Sequence, residues 1–186
     1  ITKIAIEGLL STNSNVCIRD YLRKLSFSNA LIKRLKRLPN GILVNENHQT
    51  VRYILKENDI LELCIDDFES DTNEYLEPVD LPFHIIYEDE DILVINKSPF
   101  MAMHPTHNHQ GDTLANAVTA YLAEKGKNAA FRAVGRLDKV TSGVMLFAKN
   151  AYAASKLNGN LDKTYLAVVN GTTDESGFIE APIFRP

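Results

Sequence analysis

No stretch of this chain approaches the roughly 18 consecutive apolar residues of a membrane-spanning helix, so no membrane partner is expected. Ile1 to Leu10 has Lys3 as its one cation and no small-residue cleavage site, so it does not read as a signal peptide. Cysteine is scarce. Cys17 and Cys64 stand alone, without the paired spacing of a zinc site, and read as buried thiols of a cytoplasmic protein; a disulfide between them stays open. A nucleophile elbow is missing, and so is a convincing base partner, which counts against a hydrolase acting through Ser142 or Asp138. Positive charge is missing over a long interval: between Glu57 and Asp91 there are 14 acidic residues and no Lys or Arg.

That interval changes the meaning of the net charge. The whole chain carries −4, which would argue against nucleic acid if charge were evenly spread, but outside the acidic interval 20 cations face 10 acids. Arg19, Arg23, Lys24, Lys33, Arg34, Lys36 and Arg37 cluster around the single Asp20. Such a patch attracts phosphates. The length of 186 residues, 45% hydrophobic and 24% charged, suits one large globular domain or two small ones.

Apolar spacing sets out the elements. Ile18, Tyr21, Leu22 and Leu25 form a helical stripe with the cations on other faces; Ser28 caps a second helix carrying Leu31, Ile32, Leu35 and Leu38. Pro39-Asn40-Gly41 turns the chain into short strands at Ile42 to Asn45, Thr50 to Tyr53 and Asp59 to Leu63. Residues 66–82 are acidic, contain Pro78 and Pro82, and read as an extended linker. Two strands then flank an acidic turn between Ile85 and Lys97. A helix from Gly111 to Gly126 is capped by Asp112, with Leu114, Val118, Tyr121 and Leu122 as its stripe. Tyr152 to Leu157 suggests a short helix, and Lys163 to Gly171 a strand ended by a turn. The intervening His104, His107 and His109 invite a metal reading, but no acidic partner stands at ligand spacing, and no metal is expected; His107 and His109 read as exposed.

The chain pivots on Arg136 to Gly143, a polar stretch leading into the buried-strand run Val144 to Ala148. Loops at the ends of rigid strands are where sites are usually built. Asp138 lies two residues from Arg136, whose guanidinium would favour the ionised carboxylate, and Thr141, Ser142 and Gly143 can turn tightly around it. From the residues alone a surface loop with an Arg-Asp pair and an ST-turn is the readier reading.

Arg136-Leu137-Asp138-Lys139-Val140-Thr141-Ser142-Gly143 resembles the R-L-D-x-x-T-S-G signature of the RluA-type pseudouridine synthases, matching six residue types in eight positions. Ile85 to Pro99 is similar to that family's I-x-Y-E-D opening, and Lys163 to Gly171 to its K-x-Y-x-A-x-V-x-G motif. Gly135 and Val140 depart from the family, which more often has His and an acid there. Residues 17–65 resemble the S4 RNA-binding module found at the N-terminus of many such enzymes, through Tyr21 to Lys24, Ile32 to Leu35, Ile42 to Asn45 and Asn58 to Leu61; Glu46 and Asn58 stand where the family usually has Gly.

The resemblance implies an α+β fold with an S4-like module at 1–65, an acidic linker at 66–82, and at 83–186 the first part of a mixed, largely antiparallel synthase sheet. It implies an isomerase that makes pseudouridine in ribosomal or transfer RNA, needing no cofactor, as a monomer in the cytoplasm. Asp138 would be the catalytic carboxylate, Arg136 the residue entering the space left by the extruded base, and Tyr165 the residue stacking on that base. His104 would lie on the substrate side, and the Arg19 to Arg37 cations would bind RNA. In the family a longer helix and turn separate the positions of Leu157 and Lys163, and about a hundred further residues follow the position of Pro186, so an intact enzyme is expected of a longer parent protein. The rival reading is an S4-type RNA-binding protein with an inactive synthase-like remnant.

Overall fold

Residues 2–5, 15–65, 76–107, 109–126 and 130–182 are described by the structure, a computed structural model. Ten residues of the expected linker, 66–75, fall outside them, as do Asn108 and the terminal residues. The strands are β1 (Thr2–Ala5), β2 (Ile42–Val44), β3 (Asn47–His48), β4 (Ile60–Leu63), β5 (His84–Glu88), β6 (Ile92–Lys97), β7 (Ala133–Val134) and β8 (Gly143–Ala148). The helices are α1 (Ile18–Lys24), α2 (Asn29–Leu35), α3 (Leu114–Glu124) and α4 (Ala151–Leu157). Two four-stranded sheets result, ordered β1-β4-β2-β3 and β5-β6-β8-β7. The α+β expectation holds. So does the largely antiparallel character expected of the sheet after residue 83: among the described residues every strand pair is antiparallel, and parallel pairing is confined to one isolated bridge, Ala102 with Thr113.

In the first unit the helical stripe is buried as its spacing requires, with Ile18, Tyr21, Leu22, Leu31, Ile32 and Leu35 closing on Ile42, Val44, Leu61 and Leu63. Ser28 caps α2, its hydroxyl accepting from Leu31 N at 3.2 Å. The strand expected at Thr50 to Tyr53 is instead a turn, Tyr53 N donating to Thr50 O at 3.0 Å. Its carbonyls have another use: Val51 O and Tyr53 O accept from Arg19 N and Ile18 N, satisfying two orphan donors at the start of α1. The β2–β3 hairpin forms despite Glu46, because Asn45 (φ 49°) and Glu46 (φ 68°) both take left-handed conformations, as a type I′ loop demands. The Asn45 side chain fixes that loop, donating to Asp59 Oδ1 at 2.8 Å and accepting from Ile60 N at 2.9 Å.

In the second sheet β5 and β6 flank the expected acidic turn, closed by Asp89 Oδ1 accepting from the Asp91 and Ile92 amides at 2.8 and 2.7 Å. Helix α3 packs Leu114, Val118 and Leu122 against Leu93, Ile95, Met145 and Phe147. Its cap is Thr113 rather than Asp112, through a reciprocal capping box with Asn116. Asp112 is drawn away because it binds His109. Asn116 also ties in the chain before β5, donating to Glu77 O at 2.7 Å while its carbonyl accepts from Val79 N at 3.3 Å. The expected strand from Lys163 does not form. Residues 161–182 are exposed and hold no regular structure, because no strand among the described residues pairs with them. Among the described residues no helix is long and apolar enough to cross a membrane.

Candidate active site

The strand period places the site. Leu93, Ile95 and Lys97 alternate on the buried face of β6, and Lys97 pairs with Gly143 where the polar loop enters β8. Leu137 is buried in the second core while its neighbours Arg136 and Asp138 are exposed, so one apolar anchor holds a loop whose charged side chains point outward. Asp138 O accepts from Thr141 N at 3.1 Å, closing the expected turn around Asp138. Among the described residues no ion pair joins Arg136 to Asp138.

Beneath the loop lies a residue whose role the sequence reading did not single out. The Lys97 side chain is fully buried, and its ammonium donates to Ser98 O at 2.9 Å, Lys139 O at 3.1 Å and Thr141 O at 2.7 Å. Burial pushes the Lys97 pKa below its ordinary value. One buried cation thus binds two carbonyls of the turn that follows Asp138. The signal was present in the period of β6, which sets position 97 on the same face as Leu93 and Ile95.

Around the loop, Tyr165 is brought to the clamped turn. It lines a cleft of about 620 Å³ together with Leu137, Thr141, Ser142, Gly143 and Lys163; Arg136 and Asp138 are not among the lining residues. Gly135, at φ 81°, leaves room for the Lys163 ammonium, which a side chain at 135 would meet. His104 stacks edge-on against Phe131 at 5.1 Å, and burial first, then the nearby Arg136 charge, lowers its pKa. His107 is exposed as expected, but His109 is partly covered, bound to Asp112 and to Lys139. Among the described residues no group of three or more His, Cys, Asp or Glu side chains is arranged to hold a metal ion.

The far end of β8 is fixed by charge. Lys149 donates to Glu88 Oε1 at 2.7 Å and to Asp89 O at 2.5 Å, while Lys125 and Tyr121 donate to Glu88 Oε2 at 2.9 and 2.5 Å. Burial alone would raise the Glu88 pKa, but these donors outweigh it and hold it down to about 2. Of the cations expected to bind RNA, Arg19, Arg23, Lys24, Lys33, Lys36 and Arg37 are exposed on α1, α2 and the turn after α2. Arg34 instead is half-buried in a groove between α2 and α4, which Arg132 also lines. Cys17 is buried and Cys64 partly so, and both are free thiols.

A family model described as RNA pseudouridylate synthase matches residues 91–185. The chain is 36% identical over 174 residues to "Uncharacterized RNA pseudouridine synthase YjbO" of Bacillus subtilis, covering 90% of this chain and 61% of that protein. It is 35% identical over 153 residues to "Uncharacterized RNA pseudouridine synthase YlyB" of the same organism, covering 77% and 50%. To "Ribosomal large subunit pseudouridine synthase D" of Zymomonas mobilis it is 36% identical over 118 residues, covering 59% and 37%. The chain therefore spans between about a third and three-fifths of these relatives' length.

Proposed function

The chain belongs to the RNA pseudouridylate synthase family, of the RluA type, and from that premise we propose that the protein isomerises uridine to pseudouridine in structured RNA. The relatives named for the ribosomal large subunit favour ribosomal over transfer RNA as substrate. In this reaction the bond from C1′ to N1 of uracil breaks, the base turns, and C1′ bonds to C5. C5 gives up its proton and N1 gains one, so atoms and electrons balance without a redox partner. What the protein has to supply is a positioned carboxylate and room for an extruded base.

The observation that carries this reading is the clamped turn, in which Lys97 and Leu137 hold the backbone while the Asp138 side chain stays exposed. Asp138 acts as the catalytic carboxylate. Arg136 enters the space the base leaves, a role suited to a planar guanidinium that stacks and donates hydrogen bonds together. Tyr165, across the turn in the same cleft as Thr141 and Ser142, stacks on the extruded uracil, and His104 lies on the substrate side beside Arg136. Residues 1–65 serve as the S4-like RNA-binding unit, with Arg19, Arg23, Lys24, Lys33, Arg34, Lys36 and Arg37 on phosphates; 66–82 are the linker and 83–186 the first part of the catalytic domain. The protein works as a cytoplasmic monomer.

Asp138→Ala tests the assignment. The residue is exposed, so folding and RNA affinity should be unchanged, whereas pseudouridine formation should fall by at least about 10³-fold, the scale of losing a group that acts in chemistry. Mass-spectrometric mapping of treated RNA reads it, and substantial pseudouridine from the variant overturns the role of Asp138. The rival, a non-catalytic RNA-binding protein, requires wild-type protein to bind RNA and modify none of it.

A further inference from the structure

Phe100 holds a conformation that a bulky side chain rarely adopts. Its φ is 67°, in the left-handed region, and its ring is 73% exposed. The ring therefore contributes little to the core in return for the strain. Strained residues of this kind collect where a ligand is held. The surroundings of Phe100 suggest which ligand. The Lys97 ammonium bonds Ser98 O and Lys139 O together, so the turn carrying Phe100 lies against the Asp138 loop, in which Val140 is 67% exposed.

Lys139 belongs to the same clamped loop, and its side chain is held in one direction. Its ammonium lies 2.8 Å from His109 Nε2, and His109 Nδ1 lies 2.6 Å from Asp112 Oδ2. An ammonium can only donate, so His109 Nε2 accepts from Lys139, and Nδ1 is left to donate to Asp112. Among the described residues His109 is the one hydrogen-bond partner of that ammonium, which has two further hydrogens to donate. An exposed ring and an oriented cation, carried by two backbone segments that one buried ammonium ties together, suit one nucleotide of a single strand, base on the ring and phosphate on the charge.

We propose that Phe100 and Lys139 form a subsite for a nucleotide flanking the target uridine, with His109 and Asp112 as the positioning pair that aims Lys139. The proposal rests on the RNA-modifying reading and adds to it a contact outside the reacting base.

The test measures binding of a single-stranded oligouridylate to the protein by fluorescence anisotropy at several salt concentrations, alongside thermal unfolding. Phe100→Gly relieves the left-handed strain, so its Tm should equal or exceed that of the wild type, while affinity falls about 5- to 150-fold, the range for losing one stacked base. Phe100→Tyr should restore affinity. Lys139→Gln should flatten the log-log salt dependence by roughly 0.7 to 0.9, one phosphate contact. His109→Ala should raise KM with kcat unchanged, and His109→Gln, which keeps an acceptor for the ammonium, should recover most of it. A Phe100→Gly protein that binds as tightly as the wild type, or whose Tm drops, overturns the subsite. The enzymatic reading fails separately: a wild type that makes no pseudouridine but loses affinity through Phe100→Gly retains the subsite and loses the chemistry.

Discussion

The two sheets are stabilised by different means. The first closes on an apolar core in which Ile18, Leu22, Leu35, Ile42, Leu61 and Leu63 are fully buried, and its buried polar residues among those described are Asp59 and Glu62. The second buries Lys97, Thr113, Asn116 and Lys149, each hydrogen-bonded. Apolar packing is non-directional and suffices to carry a charged outer face. Holding a loop in one geometry is more demanding, and buried polar groups meet that demand because any other geometry leaves them unsatisfied.

One pair of substitutions bears directly on that contrast and has the largest expected effects. Leu22→Ala should cost about 2–5 kcal/mol of stability by leaving a cavity, yet leave kcat on a minimal RNA unchanged. Lys97→Met keeps much of the buried volume but strips three carbonyls of their donor, at about 2–4 kcal/mol, and should lower kcat more than it raises KM because the Asp138 turn loses its clamp. Denaturant unfolding with single-turnover rates reads both. Equal kcat in the two variants would mean that the buried lysine packs like any other core residue.

This contrast also explains what was legible beforehand. The first unit was readable almost throughout, because apolar period dictates packing: the stripes on α1 and α2 and the Ser28 cap are all where spacing puts them. Thr50 to Tyr53 misled because β-branched composition says nothing about a carbonyl needed at the start of α1. At the site, the exposure of Asp138 and the burial of Leu137 follow from a polar loop entering an apolar strand. The Lys97 clamp and the pairing of His109 with Lys139 are contacts over 42 and 30 positions, which local pattern does not encode. The capping box at Thr113 shows the same limit on a smaller scale, since Asp112 is as good a cap by type and is taken by His109 instead.

The second sheet's dependence on charge has a pH signature. Glu88 has an ordinary pKa of 4.5 and one of about 2 in the folded protein. A lowered folded pKa means the unfolded chain binds the proton more readily, so the stabilisation is complete above pH 4.5 and is lost as pH falls from there through 2. Unfolding followed by amide exchange in β8 should weaken over that window, and Glu88→Gln should remove the dependence. If Glu88→Gln leaves the acid-side slope in β8 intact, other carboxylates set it and the network around Lys149 is incidental.

The smallest effect is expected where the two units meet. Ser155 on α4 accepts from Ser28 N at 2.7 Å and donates to Ser26 O at 3.0 Å, and Tyr152 stacks on Phe27 with ring centroids 4.5 Å apart. A single hydroxyl thus satisfies both a backbone donor at the start of α2 and a carbonyl at the end of α1. Ser155→Ala removes it and should cost about 1 kcal/mol, the net value of a hydrogen bond. That corresponds to about fivefold faster exchange of the Ser28 amide if the contact opens locally. The Leu22 amide, deep in the first unit, should keep its wild-type rate, because its protection comes from a core that α4 touches only at the edge. Equal acceleration at Ser28 and Leu22 would show that the first unit opens as a whole when α4 lets go. The contrast between an apolar-cored first unit and a polar-clamped second sheet would then describe one cooperative structure.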